Sequence, residues 1–238
     1  MAIDEALLAA VGDGIGTWRW YGWSEATVSF GRNERVAGRF VPARLAADGL
    51  GAVRRPTGGR ALLHDRELTY SVTIPLPATV PWRAAYDAVN ALLLDTLRAM
   101  HVPVALAAAG GAIAPDGPVC FDRPADGELT VDGRKLVGSA VWRHGDAYLQ
   151  HGSILLHDDQ HRLAALTGDV ELPPAAAALA ALLPDATEAD LRDGTRAAAR
   201  GVLERHATVI PFTPPLGWDA LLATHQRRFA DAGWLWRR

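Results

Sequence analysis

Leu129-Thr130-Val131-Asp132-Gly133-Arg134-Lys135-Leu136-Val137-Gly138-Ser139-Ala140, continuing through Val141 to Leu156, is the stretch that decides the fold. Asp132-Gly133 sits between apolar and β-branched runs, and Asp-Gly suits a type I′ turn because both positions need positive φ. A second turn at His144-Gly145-Asp146 leads into Ala147 to Leu156. Residues 128–156 therefore read as an antiparallel meander. Its second hairpin brings Gly138-Ser139-Ala140 beside His151-Gly152-Ser153. Small residues inside a strand mark close approach of a ligand or of another backbone. Lys135, at the start of the middle strand, is placed to stabilise charge on a carbonyl oxygen. Taken singly, Lys135 reads better as a satisfied surface lysine and His151 as a core histidine.

Upstream, Ala2 to Val11 has apolar residues at 3, 6, 7, 10 and 11 and reads as a helix, with Asp4 and Glu5 near its dipole-positive end. The segments 17–23, 26–31, 51–55, 61–64 and 68–75 are β-branched, aromatic or apolar and read as strands. Pro81 to Met100 repeats apolar residues at helical spacing. Downstream, the segments 160–167, 173–183, 187–206 and 217–233 read as helices, the alanine run at 175–181 included. Strands first, then a helical tail, predict an α+β fold: a central mixed, mainly antiparallel β-sheet with flanking helices.

Hydrophobic residues make up 49% of the 238, enough for a sizeable core, and the net charge of −3 points to no nucleic acid and no membrane surface as partner. One cysteine, Cys120, excludes an intramolecular disulfide, and no Cys/His spacing reads as a zinc site, so no metal is expected. Met1 to Leu8 lacks the basic start of a signal peptide, and no apolar run is long enough to span a bilayer. The expected setting is cytoplasmic.

A second chemistry-bearing segment is Arg54-Arg55-Pro56-Thr57-Gly58-Gly59-Arg60-Ala61-Leu62-Leu63-His64-Asp65. Its glycines permit close approach of a ligand, and its arginines suit a phosphate or carboxylate. No Gly-Lys-Ser/Thr follows, so it is not a P-loop. Taken alone it reads better as a basic β-turn on the surface. Cys120 reads either as a small core residue or, with a lysine and histidines nearby in the fold, as a nucleophile.

Together these segments resemble the lipoate/octanoate branch of the biotin and lipoate protein ligase superfamily. The resemblance is carried, in the family's order, by Met1 to Leu8, Ser29-Phe30-Gly31-Arg32, Arg54 to Asp65, Glu67-Leu68-Thr69-Tyr70-Ser71, Gly133 to Ala140 and Gln150 to Leu155. It implies a single catalytic domain over 1–238, with a sheet-rich core at 1–156 holding the acyl site and a helical part at 157–238. It implies octanoyl or lipoyl groups as cargo, delivered to a lysine of a lipoyl carrier domain, either glycine cleavage H protein or the E2 of a 2-oxoacid dehydrogenase. Lys135 then lies at the reacting carbonyl. Arg54, Arg55, Thr57, Gly58, Gly59, Arg60 and His64 line the pocket, with Gly138, Ser139, Ala140, His151, Gly152 and Ser153.

The family holds two chemistries. Ligases activate free lipoate with ATP and Mg²⁺ as an acyl-adenylate. Transferases take octanoate from acyl carrier protein or another lipoyl domain through a cysteine thioester and need no cofactor. Cys120-Phe121 ahead of Lys135, Arg60 where many ligases have a third glycine, and Glu67 to Ser71 are similar to a ligase-like transferase subgroup. A free thiol of pKa ~8.5 needs its thiolate stabilised, which Lys135 could supply. Catalysis is thus expected of Cys120 and Lys135, with His64 or His151 as weaker candidates for moving the proton. A ligase in which Cys120 is structural, and a non-catalytic acyl- or carrier-binding relative, stand as alternatives. The departures are the absence of the family's strand before the first helix, which reads as truncation, mis-start or variation, Val141 where a glutamine is usual, and Ala125-Asp126-Gly127 after Cys-Phe.

Overall fold

The meander at 129–155 forms the heart of a large antiparallel sheet. The computed structural model describes residues 1–12, 14–108, 124–167 and 174–237. In chain order the strands are β1 (Thr17–Tyr21), β2 (Thr27–Phe30), β3 (Gly51–Arg54), β4 (Leu62–His64), β5 (Glu67–Pro75), β6 (Ala105–Leu106), β7 (Leu129–Val131), β8 (Arg134–His144) and β9 (Ala147–Leu155). The helices are α1 (Ala2–Ala9), α2 (Pro42–Ala47), α3 (Trp82–Ala99), α4 (His161–Thr167), α5 (Leu179–Leu182), α6 (Glu188–Glu204), α7 (Trp218–Ala230) and α8 (Ala232–Leu235). Among the described residues, six strands pair in the order β1-β5-β9-β8-β7-β6, every pair antiparallel. A smaller sheet runs β3-β2-β4, with β2 parallel to β3 and antiparallel to β4. The fold is α+β with a mixed, mainly antiparallel arrangement, as the alternation of turn signals and β-branched runs predicts.

Asp132 and Gly133 both take positive φ, 50° and 73°, which is the I′ geometry their dipeptide favours. β5 and β9 lie in the middle of the large sheet and are buried along most of their length. Tyr70 and Val72 of β5 join Val89, Leu93 and Leu97 of α3 and Leu191 of α6 in the main core. A second core gathers Val28, Phe30, Phe40 and Leu63 around the small sheet, and Trp236, just past α8, packs against it. No helix among the described residues is long and apolar enough to cross a membrane.

One expectation changes. The alanine run is not a helix before Leu179. Ala176 N–H bonds to Asp158 Oδ2 at 2.8 Å and Ala177 N–H to the Lys135 carbonyl at 2.9 Å. Those donors serve other elements instead of a residue four back, and buried packing overrides alanine's propensity. Asp4 and Glu5 stand in the first turn of α1, as expected, and both are buried, with Ile3 turned outward. α2 and the two-residue β6 carry too few periodic residues to be read from sequence.

Candidate active site

β8 and β9 pair so that Gly138 faces Ser153, Ser139 faces Gly152 and Ala140 faces His151. These small side chains leave a recess in the sheet face. All six residues line it, as do Arg55 and His64. Gly152 is required by close approach: a Cβ there would lie 2.3 Å from the Gly138 carbonyl oxygen and 2.7 Å from the Tyr70 ring.

The Arg54–Asp65 segment divides by direction. Arg55, just after β3, turns into the recess and gives hydrogen bonds to the Ser29 carbonyl and to the Gly58 and Arg60 carbonyls. It thereby holds the turn in which Gly59 has φ 94°. Thr57 is buried one hydrogen bond behind the wall, its Oγ1 2.7 Å from His151 Nε2. Gly58, Gly59 and Arg60 shape the turn and are not themselves lining residues.

Arg54 points the other way, as the strand period of two demands. It donates to the carbonyls of Gly31 and Glu34 at 2.6 and 3.0 Å, and to those of Leu235 and Arg237, both at 2.9 Å. Trp234 Nε1 returns a bond to the Arg54 carbonyl. The expectation that Arg54 meets a ligand gives way to a buried fastening between β2, β3 and the end of the chain.

Two acid–histidine–hydroxyl arrays occupy the recess walls. In the first, His64 Nδ1 lies 2.7 Å from Glu67 Oε1 and Nε2 lies 2.7 Å from Ser29 Oγ. Ser153 and Thr69 donate to the same Glu67 oxygen, and Trp23 stacks on the His64 ring at 4.2 Å. In the second, His151 Nδ1 lies 3.3 Å from Asp4 Oδ2, with Thr57 on Nε2. Arg19 and Tyr21 of β1 also reach Asp4. Burial pushes the His151 imidazole below its ordinary value, more strongly than the Asp4 hydrogen bond and charge raise it.

Lys135 is buried on β8 with Nζ 2.8 Å from Glu128 Oε2. Glu128 Oε2 also takes the Ala125 N–H at 2.7 Å, and Oε1 takes the Ser139 N–H at 3.4 Å. Lys135 is thus coupled through Glu128 to a residue of the recess wall. Cys120, expected as the nucleophile, lies outside the described residues, as does Phe121. Among the described residues no group of three metal-ligating side chains is placed to hold an ion.

Sequence reasoning assigned no role to Asp4, Ser29, Glu67 or Glu128. Ser29 and Glu67 stand within motifs, but their partners come from other strands. Asp4 carried a readable signal, since it shares a helical face with the apolar Leu7 and Leu8.

The model for the lipoyl protein ligase A/B catalytic domain matches residues 1–188. A protein named octanoyltransferase LipM from Anoxybacillus flavithermus is 41% identical over 179 residues, 70% of this chain and 64% of that one. The Staphylococcus aureus protein of the same name is 40% identical over 168 residues, 65% and 60% of the two chains. The chain therefore matches less than two thirds of the length of these curated relatives. A lipoate-protein ligase A structure bound with ATP superimposes with TM-score 0.80 at 19% identity, covering 99% of this chain and 92% of that one. The bipartite lipoate protein ligase of Thermoplasma acidophilum, described with its E2 lipoyl domain, gives TM-score 0.76 at 19% identity, covering 99% and 89%. At that identity the likeness concerns the fold.

Proposed function

The chain belongs to the lipoyl protein ligase A/B catalytic-domain family, and on that premise we propose that it moves an octanoyl (or lipoyl) group from acyl carrier protein or a lipoyl domain to a lysine of a lipoyl carrier domain. Cys120 attacks the octanoyl-pantetheine thioester, and the pantetheine thiol leaves. Lys135 and neighbouring backbone N–H groups hold the oxyanion. The carrier lysine then attacks the acyl-cysteine, forming the amide and releasing the Cys120 thiol. The thioester carries the acyl group already activated, so this route needs no ATP.

The observation that carries the reading is Lys135 buried against Glu128 beside the recess wall, with Cys120-Phe121 a short distance ahead of it in the chain. A buried ion pair holds an ammonium in one place, and positioning is what oxyanion stabilisation requires. The relatives named octanoyltransferase LipM support transfer over ligation.

Intact-protein mass spectrometry after mixing with octanoyl-acyl carrier protein tests it. An octanoyl adduct on Cys120 that hydroxylamine removes is the expected result. Full transfer by Cys120→Ser, or ATP–pyrophosphate exchange driven by free octanoate, overturns it.

A further inference from the structure

Three side-chain contacts in the recess form a chain whose two ends each act in one way only. At one end the Arg55 guanidinium, which has donors and no acceptor, gives an N–H to Ser29 Oγ at 3.1 Å. At the other end Glu67 Oε1 receives the hydroxyls of Ser153 and Thr69. The Thr69 hydrogen is committed to Glu67 because its oxygen already accepts from Trp23 Nε1 at 2.9 Å. An oxygen that collects donors in this way takes a hydrogen from His64 Nδ1 as well. The neutral His64 ring then has a bare Nε2. Ser29 Oγ, accepting from Arg55, has its own hydrogen to give, and Nε2 stands 2.7 Å away. Ser153 Oγ also lies 3.3 Å from His64 Nδ1, but with its hydrogen on Glu67 it can only accept from that nitrogen. The hydrogen bonds from Arg55 to Glu67 therefore run one way, and both Ser29 and His64 line the recess.

We propose that Ser29, His64 and Glu67 form a proton relay serving the recess, with Glu67 as the residue that positions the His64 ring. The identity of the reacting groups rests on the function proposed above. As the carrier amine forms its C–N bond, it gives a proton to Ser29 Oγ while the Ser29 proton passes to His64 Nε2. The imidazolium so formed is held by Glu67 through Nδ1. As the C–S bond breaks, the electron pair goes to sulfur and the proton returns along the same path to the departing thiolate. Glu67 on β5 and Arg55 after β3 are the charged members of the chain through His64, and the Met1 terminus lines the same recess. Arg192 of α6 donates to the Glu67 carbonyl and pairs with Glu188, and His151 of β9 is engaged with Thr57 and Asp4.

Two measurements decide it. Imidazole ¹⁵N resonances of the folded wild-type protein at alkaline pH should show His64 protonated at Nδ1 and bare at Nε2; the opposite tautomer overturns the relay. Steady-state transfer from octanoyl-acyl carrier protein to a lipoyl domain should show Glu67→Gln lowering kcat about 10²-fold, with KM for the donor changed less than about twofold. Glu67→Asp, which keeps the carboxylate, should recover most of that loss, and Ser29→Ala should lower kcat in the same way. Wild-type kcat in both Glu67→Gln and Ser29→Ala, with only the thermal midpoint reduced, overturns the relay and leaves the network a packing feature. If Glu67→Gln fails to fold, Ser29→Ala carries the kinetic arm. If the wild type transfers no octanoyl group, the proposed function fails, and the ¹⁵N tautomer alone then judges the relay.

Discussion

The two acid–histidine–hydroxyl arrays share a pattern but are built from different distances along the chain. In the first, acid and ring lie three positions apart, His64 at the end of β4 and Glu67 at the start of β5, 2.7 Å from each other, while Ser29 of β2 meets the other ring nitrogen at 2.7 Å. Asp4 reaches His151 across 147 residues, from α1 to β9, at 3.3 Å. The acid–imidazole pair of the first array is fixed by the tight turn between β4 and β5, which follow one another in the chain. The distant one depends on how α1 is seated against the sheet. The first should therefore behave as a rigid part, and the second should report on packing at the N-terminal end of the described chain.

The largest effect should come from breaking the local array. Glu67→Ala leaves the hydrogens of His64, Ser153 and Thr69 without their shared acceptor and should cost about 3 kcal/mol, read by urea unfolding. Asp4→Asn in the distant array removes a charge facing Arg19 and His151 but keeps a polar side chain. It should cost about 2 kcal/mol by the same measurement, and a cost equal to that of Glu67→Ala would erase the contrast. Acidification separates the arrays next. His151 is held below its ordinary value in the folded protein, so below pH ~6.5 the unfolded chain takes up a proton that the folded one refuses. Stability should fall with falling pH, by at most about 1.4 kcal/mol per pH unit, until the folded-state value is passed. His151→Gln should flatten that slope between pH 5 and 7 in a denaturant titration series. Smallest should be Trp23→Phe, which keeps a ring over His64 but deletes the bond to Thr69 Oγ1. About 1 kcal/mol of lost stability is expected, visible as a small shift in the thermal midpoint.

What the sequence made legible follows the range of the interactions. Asp132-Gly133 announces its turn because a type I′ geometry is a property of two residues. The Gly138-Ser139-Ala140 pairing with His151-Gly152-Ser153 follows from counting outward from His144–Asp146. Arg54 and Arg55 were indistinguishable as letters; strand alternation sends them to opposite faces, and only the location of the core says which is which. Ala175 to Ala178 look helical because propensity is local, while the Lys135 carbonyl that captures Ala177 lies forty-two positions upstream. Glu128 was silent because its value lies in Lys135 and Ser139, both contributed by β8.

The fastening of Arg54 has a consequence in time. Its guanidinium needs carbonyls 181 and 183 residues further along. At a synthesis rate of ~5–20 residues per second, β3 waits roughly ten to forty seconds on the ribosome before Leu235 and Arg237 exist. Throughout that interval a cation destined for the interior has only part of its hydrogen-bond set. The wall that carries Arg55 is completed only once residues 181 and 183 positions beyond Arg54 have been made.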